Sequence, residues 1–300
     1  MTVQPCALSR FQKKLLWQDI ELSEIYPLLK MCVWEDINNK GDITSEICQV
    51  KDSGVAALIA REEMVICGLP LIPLIIQEFQ LQSILLENIK VDGERAQKNE
   101  IFAYLHGKQK EILLVERTIL NFVQRLSGIA TLTRQFSTIL DKYEVGLLDT
   151  RKTTPGHRIL EKYATCCGGG YNHRMNLSDR ILIKDNHLAS EGINSTMDFS
   201  KFLKKIVKKA DNALVEIEID QIDYLLPAIE AGVDAVLLDN FTPKEVKTAV
   251  LTNKNKVVLE ASGGINLESV ENFAETQPHF ISTGAPIHNS RWIDIGLDWK

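Results

Sequence analysis

The chain has 300 residues, of which 45% are hydrophobic and 25% are charged, and its formal net charge is −6 at pH 7. This composition is typical of an ordinary folded protein and argues against disorder, while the negative net charge disfavours nucleic acid as a partner. The first residues lack a basic stretch followed by an apolar one, and no apolar run approaches ~18 residues. We therefore expect a cytoplasmic protein without a membrane segment.

The first part of the chain predicts an α+β domain. Aliphatic and β-branched runs indicate strands at 54–60, 64–67, 101–105 and 112–115. A stripe of apolar residues at three- and four-residue spacing then predicts a long helix from Glu116, which links this domain to the next. We expect an N-terminal domain at 1–116, with the C-terminal segment 286–300 as a candidate addition, and a catalytic domain at 117–285.

The segment from about Leu147 to Gly284 alternates short apolar runs with helix-length stretches, which indicates repeated βα units and a parallel sheet. Six strands are predicted, at 146–148, 181–183, 214–217, 235–238, 256–259 and 280–282. Polar or charged residues stand just beyond nearly every strand, where (β/α) barrels build their active sites. Because roughly 140 residues are fewer than the ~250 of a complete barrel, we predict an incomplete or compressed α/β barrel.

Positive charge is concentrated between Asp149 and His187, where seven Lys/Arg stand against four Asp/Glu. Any one of these cations alone would suit a solvated turn, and a lone histidine is more often structural than functional. Together they predict a site for a small anion, since planar guanidinium groups bind carboxylates in pairs of hydrogen bonds. The cations follow strand ends or the flexible glycine run Gly168-Gly169-Gly170: Arg151, Lys152, His173, Arg174 and Lys184.

Two carboxylates, Glu218 and Asp239, end consecutive predicted strands that are otherwise apolar. Such residues are rarely placed there without a partner, and Mg²⁺ typically takes one or two protein carboxylates together with substrate phosphates. We expect both to bind Mg²⁺, directly or through water. Two late glycine turns predict backbone donors for a phosphate group: Ser262, Gly263, Gly264, Gly284 and Ala285.

Other nucleotide and metal motifs are missing from the sequence. Neither a P-loop nor the glycine pattern of dinucleotide-binding folds follows any predicted strand. The six cysteines form no C-x-x-C pair and no Cys/His array with metal-site spacing. The adjacent Cys166 and Cys167 suit disulfide geometry poorly, so reduced thiols are expected.

Motifs outside the basic region extend the pattern over most of the chain. They include Gly41-Asp42-Ile43-Thr44, Glu116-Arg117-Thr118 and Leu259-Glu260-Ala261-Ser262-Gly263-Gly264-Ile265. Together with the basic segments, they resemble the quinolinate phosphoribosyltransferase family. The resemblance implies an open, about seven-stranded α/β barrel with an N-terminal α+β sandwich domain. It also implies transfer of phosphoribosyl from phosphoribosyl pyrophosphate to quinolinate with decarboxylation, giving nicotinate mononucleotide, pyrophosphate and CO₂ in NAD synthesis.

The resemblance also implies roles for single residues. Lys152 would offset charge on the leaving pyrophosphate, Glu218 rather than Glu216 would face the metal, and Asp239 would organise metal and ribose. Lys152, Lys184, Glu218 and Asp239 are the expected catalytic residues. The dicarboxylate pocket would be formed by Arg117, Arg151, His173, Arg174 and Lys184, with Arg117 supplied by the partner subunit of a homodimer or larger assembly.

The C-terminal tail departs from the family pattern at Gln277, Pro278, Ile287 and Asn289. The missing hydroxyls at Ile287 and Asn289 put side-chain contributions to the phosphate site in doubt.

Two other functions compete with this interpretation, namely a pyrophosphorylase homologue linked to molybdate transport and a catalytically silent anion-binding protein. The segments around His173 and Lys184 disfavour the first, and the pair Glu218 and Asp239 disfavours the second.

Overall fold

The structure is a computed structural model that describes residues 5–38, 40–48 and 52–300. Its strands are β1 Gly54–Ala60, β2 Met64–Val65, β3 Leu85–Asn88, β4 Arg95–Ala96, β5 Ile101–Gly107, β6 Gly146–Leu148, β7 Ile181–Ile183, β8 Val215–Ile219, β9 Ala235–Asp239, β10 Val258–Ser262, β11 Phe280–Ser282 and β12 Ile295–Trp299. Its α-helices are α1 Leu8–Phe11, α2 Tyr26–Ile37, α3 Ile43–Ile47, α4 Leu71–Glu78, α5 Gln109–Leu140, α6 Arg158–Cys167, α7 Asp185–Ser190, α8 Thr196–Lys209, α9 Leu225–Ala231, α10 Pro243–Asn253, α11 Val270–Ala274 and α12 Ala285–His288. Within these ranges, no helix is both long enough and apolar enough to span a membrane.

One compact unit combines the described residues up to Lys14 with Gln135–Lys152 and Gly170–Ala285. Its sheet has the strand order β6-β11-β10-β9-β8-β7, and every neighbouring pair is parallel. These strands fall on the six predicted runs, which confirms the βα interpretation and the α/β fold class. Instead of a seventh strand, Tyr171 makes one parallel bridge to Leu148. The glycine run just before Tyr171 is a poor strand former, which accounts for the difference.

Helix starts in this unit follow local chemistry. Thr242 caps α10 with its side chain, and Pro243 is the first helical residue, both favoured at a helix start. Asn266 is also of a type that caps helices, but its side chain accepts the N–H of Ser269 in a local turn. As a result α11 begins only at Val270, because the Asn266 turn competes with helical hydrogen bonding.

An apolar cluster fills the amino end of the parallel sheet. Phe11 of α1 is fully buried and stacks on Phe280 of β11, with ring centroids 6.1 Å apart. The rest of the cluster consists of Ala7, which precedes α1, and of residues in four strands or just before them, namely Leu148, Leu214, Ala235 and Val258. Burying a large apolar side chain contributes about 1.5–3 kcal/mol. This cluster leaves the carboxyl end of the sheet to polar groups.

The second compact unit comprises Leu15–Arg134, Thr153–Gly169 and Pro286–Lys300. Its main sheet has the order β12-β1-β5-β3, and β2 pairs separately with β4. The C-terminal strand β12 runs antiparallel to β1, which is why residues 286–300 cluster with this unit. Within α5 the chain passes from this unit to the other after Arg134, whereas the boundary inferred from the sequence lies at residue 116.

One predicted strand of this unit is wrong. Residues 112–115 were expected to be extended, but they lie in α5, which starts at Gln109. Ile112, Val115 and Ile119 are all fully buried, and their spacing of three and four residues is that of one helical face. A short apolar run cannot distinguish strand from buried helix by itself, and here the helical periodicity continues unbroken into the long apolar stripe.

Candidate active site

Strand registers place the carboxylates of the parallel sheet on one face. Glu218 of β8 lies opposite Leu237 of β9, and Leu237 lies opposite Glu260 of β10. Residues in register share a face, and alternate residues along a strand return to it. Glu216, Glu218, Asp239, Glu260 and Ser262 therefore all project from the same side of the sheet.

The sheet curves around this face. Glu216 and Glu260 stand on β8 and β10, which are separated by β9, so a flat sheet would hold their backbones nearly 10 Å apart. Yet His173 Nε2 lies 3.3 Å from Glu216 Oε2 and 3.5 Å from Glu260 Oε2. The carboxylates thus converge on one imidazole, as on the concave inner face of an open barrel.

These groups form a buried ionic cluster together with Arg180, whose Nη1 lies 3.2 Å from Glu216 Oε2. Burial alone would raise the pKa of Glu216, but His173 and Arg180 outweigh it and lower this pKa to about 2. Burial raises the pKa of Glu260 to about 7, with the charge of Glu216 adding to the effect and His173 opposing it. Within the described chain neither oxygen of Glu260 has a hydrogen-bond partner. Glu216 is therefore the carboxylate that keeps its charge.

The segment that carries His173 and Arg174 is fixed from both sides. The buried carboxylate of Asp149, just after β6, accepts hydrogen bonds from Asn172 Nδ2 (2.7 Å) and from His173 N (2.8 Å). The Arg174 N–H donates to His173 Nδ1 at 2.8 Å, so the ring proton resides on Nε2 and faces the carboxylates. Both ring nitrogens of His173 thus have partners inside the protein. The hydrogen bond to its Nδ1 suits His173 to orient Arg174.

Two arginines near the carboxyl end of β6 influence each other electrostatically. The pKa of Arg174 is lowered, first by burial and then by the positive charge of Arg151. Arg151 Nε is buried and has no hydrogen-bond partner among the described residues. A buried donor without a partner, in a region of positive charge, is an arrangement that an anion would stabilise.

A cation and two carboxylates stand at the ends of β7, β8 and β9. Lys184 Nζ makes a short ion pair with Glu218 Oε2, and the Glu218 side chain is mostly buried. Asp239 ends β9, and its Oδ2 accepts a hydrogen bond from Asn240 Nδ2 (2.8 Å). The sheet therefore presents carboxylate oxygens beside an ammonium group at the same edge as the arginines.

The late glycine turns are tightly built. Gly263 has a φ of +102°, and a Cβ there would stand 2.7 Å from the backbone N of Asn240, so only glycine fits. Gly264 also has a positive φ but faces open space. The Ala285 N–H donates to the Thr283 hydroxyl at 3.1 Å, so one expected phosphate donor already has a partner. Ser262 and Gly284 lie beside these turns, partly exposed.

The remaining predicted site residues are placed differently. Lys152 follows Arg151 and is exposed. Arg117 lies on α5 in the other compact unit, where its side chain is exposed. Ile287 also belongs to that unit and packs in its apolar core, so packing accounts for an apolar residue where the family carries a polar one. Asn289 is exposed.

Sequence reasoning missed Arg180, Glu260 and Asp149 and assigned no role to Glu216. A signal existed for the glutamates, because each interrupts an apolar strand, and Glu216 shares the face of Glu218. Asp149 stood at the edge of the basic region and was counted there only as a charge. Which carboxylate meets which cation depends on the curvature of the sheet, which the residue pattern does not reveal.

A curved parallel sheet with guanidinium, ammonium and carboxylate groups at its carboxyl edge defines an α/β-barrel enzyme for anionic substrates. Comparison with known families gives the particular one. Residues 42–127 match the N-terminal domain model of quinolinate phosphoribosyl transferase, and residues 129–298 match its C-terminal domain model. The chain belongs to the quinolinate phosphoribosyltransferase family.

Relatives and solved structures agree with this assignment. The chain is 40% identical over 277 residues to a probable nicotinate-nucleotide pyrophosphorylase (carboxylating) of Bacillus subtilis, covering 92% of this chain and 93% of the relative. The nicotinate-nucleotide pyrophosphorylase structure from Francisella tularensis matches with a TM-score of 0.87 at 37% identity, covering 94% of this chain and 98% of that one. The corresponding Ehrlichia chaffeensis structure matches with a TM-score of 0.84 at 37% identity over 94% and 99% of the two chains.

Proposed function

We propose that this chain transfers the phosphoribosyl group of phosphoribosyl pyrophosphate to quinolinate with loss of CO₂, forming nicotinate mononucleotide and pyrophosphate for NAD synthesis. The observation that carries the proposal is the buried Nε of Arg151, which has no hydrogen-bond partner among the described residues and whose guanidinium charge also lowers the pKa of Arg174. Quinolinate is a planar dicarboxylate, and guanidinium groups match carboxylates geometrically. Lys184 would hold a carboxylate, and Lys152 would offset charge on the departing pyrophosphate.

His173 is assigned a positioning role in this proposal. Because its two nitrogens are engaged by Arg174 N–H and by the Glu216–Glu260 pair, it orients the arginine rather than donating to substrate. The protein's contribution is then mainly to position the pyridine nitrogen and to stabilise charge on the dicarboxylate and pyrophosphate. The CO₂ is lost from ring carbon 2, because the positively charged pyridinium nitrogen stabilises the electron pair left there.

Magnesium fits the donor set at the ends of β8 and β9. Glu218 and Asp239 offer carboxylate oxygens, and Mg²⁺ binds through one or two such groups plus substrate phosphates. When bound, the ion would neutralise charge on the pyrophosphate. Glu218 is paired with Lys184, so metal binding there would release Lys184 toward the substrate carboxylate. Ser262, Gly263, Gly264, Gly284 and Ala285 surround the turns proposed for the 5′-phosphate.

The decisive test incubates the protein with quinolinate, phosphoribosyl pyrophosphate and Mg²⁺ and measures nicotinate mononucleotide and CO₂. Equal yields are expected, whereas turnover of nicotinate in place of quinolinate would refute the proposal. Binding of quinolinate, measured by calorimetry, should fall sharply in Arg151→Ala. The control is Arg10→Ala, which removes the same charge at a residue that donates to Asn212 O near the amino end of β8 and should bind normally.

We further propose that the active unit is at least a homodimer and that Arg117 serves the site of the neighbouring subunit. Arg117 is exposed and belongs to a different compact unit from the other predicted ligands. Arg117→Ala and Arg151→Ala should each be inactive alone. Mixed subunits should recover about a quarter of wild-type activity, because half the dimers of a two-fold assembly are then hybrids with one intact site. No recovery despite proven subunit exchange would refute the shared site.

A further inference from the structure

A separate cluster of metal-ligating side chains lies in the unit that carries the antiparallel sheet. Cys67 follows β2, Asp92 precedes β4, and Cys167 ends α6. Their ligand atoms, two Sγ and one carboxylate oxygen, all lie within 4.8 Å of one another. In a tetrahedral zinc site, bonds of about 2.0–2.3 Å put neighbouring ligand atoms roughly 3.3–3.8 Å apart. Small side-chain rotations would therefore bring all three onto one ion.

The backbone on both sides of this cluster is held in place. Cys67 N–H donates to Ser127 Oγ at 3.0 Å, and the same hydroxyl donates to Cys67 O at 3.3 Å. At the end of α6, Arg134 Nη2 donates to Cys167 O at 3.0 Å. Because three chain segments distant in sequence are fixed around a common point, the ligands are preorganised without any local cysteine motif.

The carboxylate of Asp92 is oriented as metal-bound carboxylates are. It accepts hydrogen bonds from the N–H of Gly68 (2.7 Å), the N–H of Leu69 (3.0 Å) and the hydroxyl of Tyr163 (2.9 Å). Outer hydrogen bonds of this kind orient ligands in metal sites. Burial nevertheless raises the pKa of Asp92. A cation bound here would offset the cost of burying that negative charge.

The two sulfur atoms decide which metal would fit. Burial raises the pKa of the Cys67 thiol well above its ordinary value, so an ion that displaces its proton must bind thiolate strongly. Thiolate ligands select Zn²⁺ over Mg²⁺, which prefers oxygen. Cys167 is less buried than Cys67 and offers the more accessible side for an entering ion.

We propose that Cys67, Asp92 and Cys167 bind one thiophilic divalent metal ion of the Zn²⁺ class, with water completing a four-ligand set. The ion would tie the β2–β4 pair to the end of α6. This site shares no residue with the proposed Mg²⁺ site, and its role is structural. Its presence can be tested whether or not the proposed reaction takes place.

The test measures metal binding to the reduced, full-length protein. Equilibrium dialysis against Zn²⁺ should give one tightly bound ion per chain, and Co²⁺ should give a sulfur-to-cobalt charge-transfer band. Cys67→Ser and Cys167→Ser should each abolish the band, and Asp92→Asn, which removes a direct ligand, should weaken binding by at least the roughly 10-fold that loss of an outer hydrogen-bond partner causes. Cys166→Ser changes the neighbouring cysteine of the same helix and should leave binding intact.

Two results would overturn the proposal. The first is absence of tight Zn²⁺ binding to the reduced wild-type protein. The second is binding that survives both Cys67→Ser and Cys167→Ser. Should Cys67→Ser fail to fold, Cys167→Ser and Asp92→Asn decide the question, with circular dichroism as the check on folding.

Discussion

The buried pair Glu216 and Glu260 provides the sharpest test of the cluster beneath the candidate site. We predict that Glu216→Gln and Glu260→Gln are far more damaging together than their separate effects imply. In the wild type Glu216 carries the charge that compensates Arg180, and the pKa of Glu260 is raised to about 7 by burial and by that neighbouring charge. When Glu216 is neutralised, Glu260 should ionise more readily and take over as the partner.

The geometry gives the magnitude. At the 3.2 Å that separates Arg180 Nη1 from Glu216 Oε2, the gross attraction is about 5 kcal/mol at an effective dielectric constant of ~20. We expect Glu260→Gln to cost about 1 kcal/mol and Glu216→Gln about 2 kcal/mol, since one carboxylate remains in each. The double variant leaves Arg180 without a carboxylate in the cluster and should lose about 5 kcal/mol, a coupling of about 2 kcal/mol.

Urea unfolding at pH 7 measures all three variants on one scale. Glu271→Gln is the control, because the Lys142–Glu271 pair is exposed on both sides and should change stability by less than about 1 kcal/mol. If the double variant equals the sum of the single variants within about 0.5 kcal/mol, the two carboxylates do not share one charge. Glu260 would then not replace Glu216 as the charged partner of Arg180.

The pKa of His279 is lowered to about 4 by burial, so folding opposes its protonation. The free energy of unfolding should therefore be highest with respect to this residue above pH ~6.5 and should fall by up to about 3 kcal/mol toward pH 4. In His279→Gln the urea midpoint should depend less on pH over that window. Gly263→Ala should cost more than about 2 kcal/mol, because its Cβ would clash with the backbone of Asn240. Gly264→Ala, in open space, should cost about 1 kcal/mol for its positive φ alone, and equal melting temperatures for the two would contradict the steric argument. Phe11→Ala opens the amino end of the barrel core and should cost about 3–5 kcal/mol in urea unfolding; a loss below 1 kcal/mol would show that Phe11 is not part of that core.

The parallel half of the fold was predictable because its signals are local. Each strand is a short apolar run followed by a polar residue, and all six predicted runs are strands in the structure. The antiparallel half was less predictable at Ile112–Val115, where a run with strand-like composition continues into the helical stripe of α5. Periodicity beyond the run, rather than the run itself, determines its structure there.

For the candidate site, residue type and strand position were enough to select the cations and carboxylates at strand ends. They were not enough to assign partners. His173 is predicted to contact the substrate, and the residue pattern did not show that its nitrogens lie against Arg174 N–H and two carboxylates. That arrangement depends on Asp149 reaching across to His173 N, a contact between residues 24 positions apart in sequence that no spacing rule predicts.

An apolar layer and an ionic layer adjoin inside the unit that carries the parallel sheet. Apolar rings such as Phe11 fill the amino end, and Arg180 lies over the Phe11 ring at 4.3 Å, so the ionic layer begins directly above the apolar one. Glu216 pairs with Arg180, and its negative charge opposes the lowering of the Arg174 pKa by burial and by Arg151. The buried carboxylate therefore offsets part of the positive charge at this edge of the sheet in the absence of a ligand. An anionic ligand would then meet positive groups whose repulsion is already partly compensated within the folded protein.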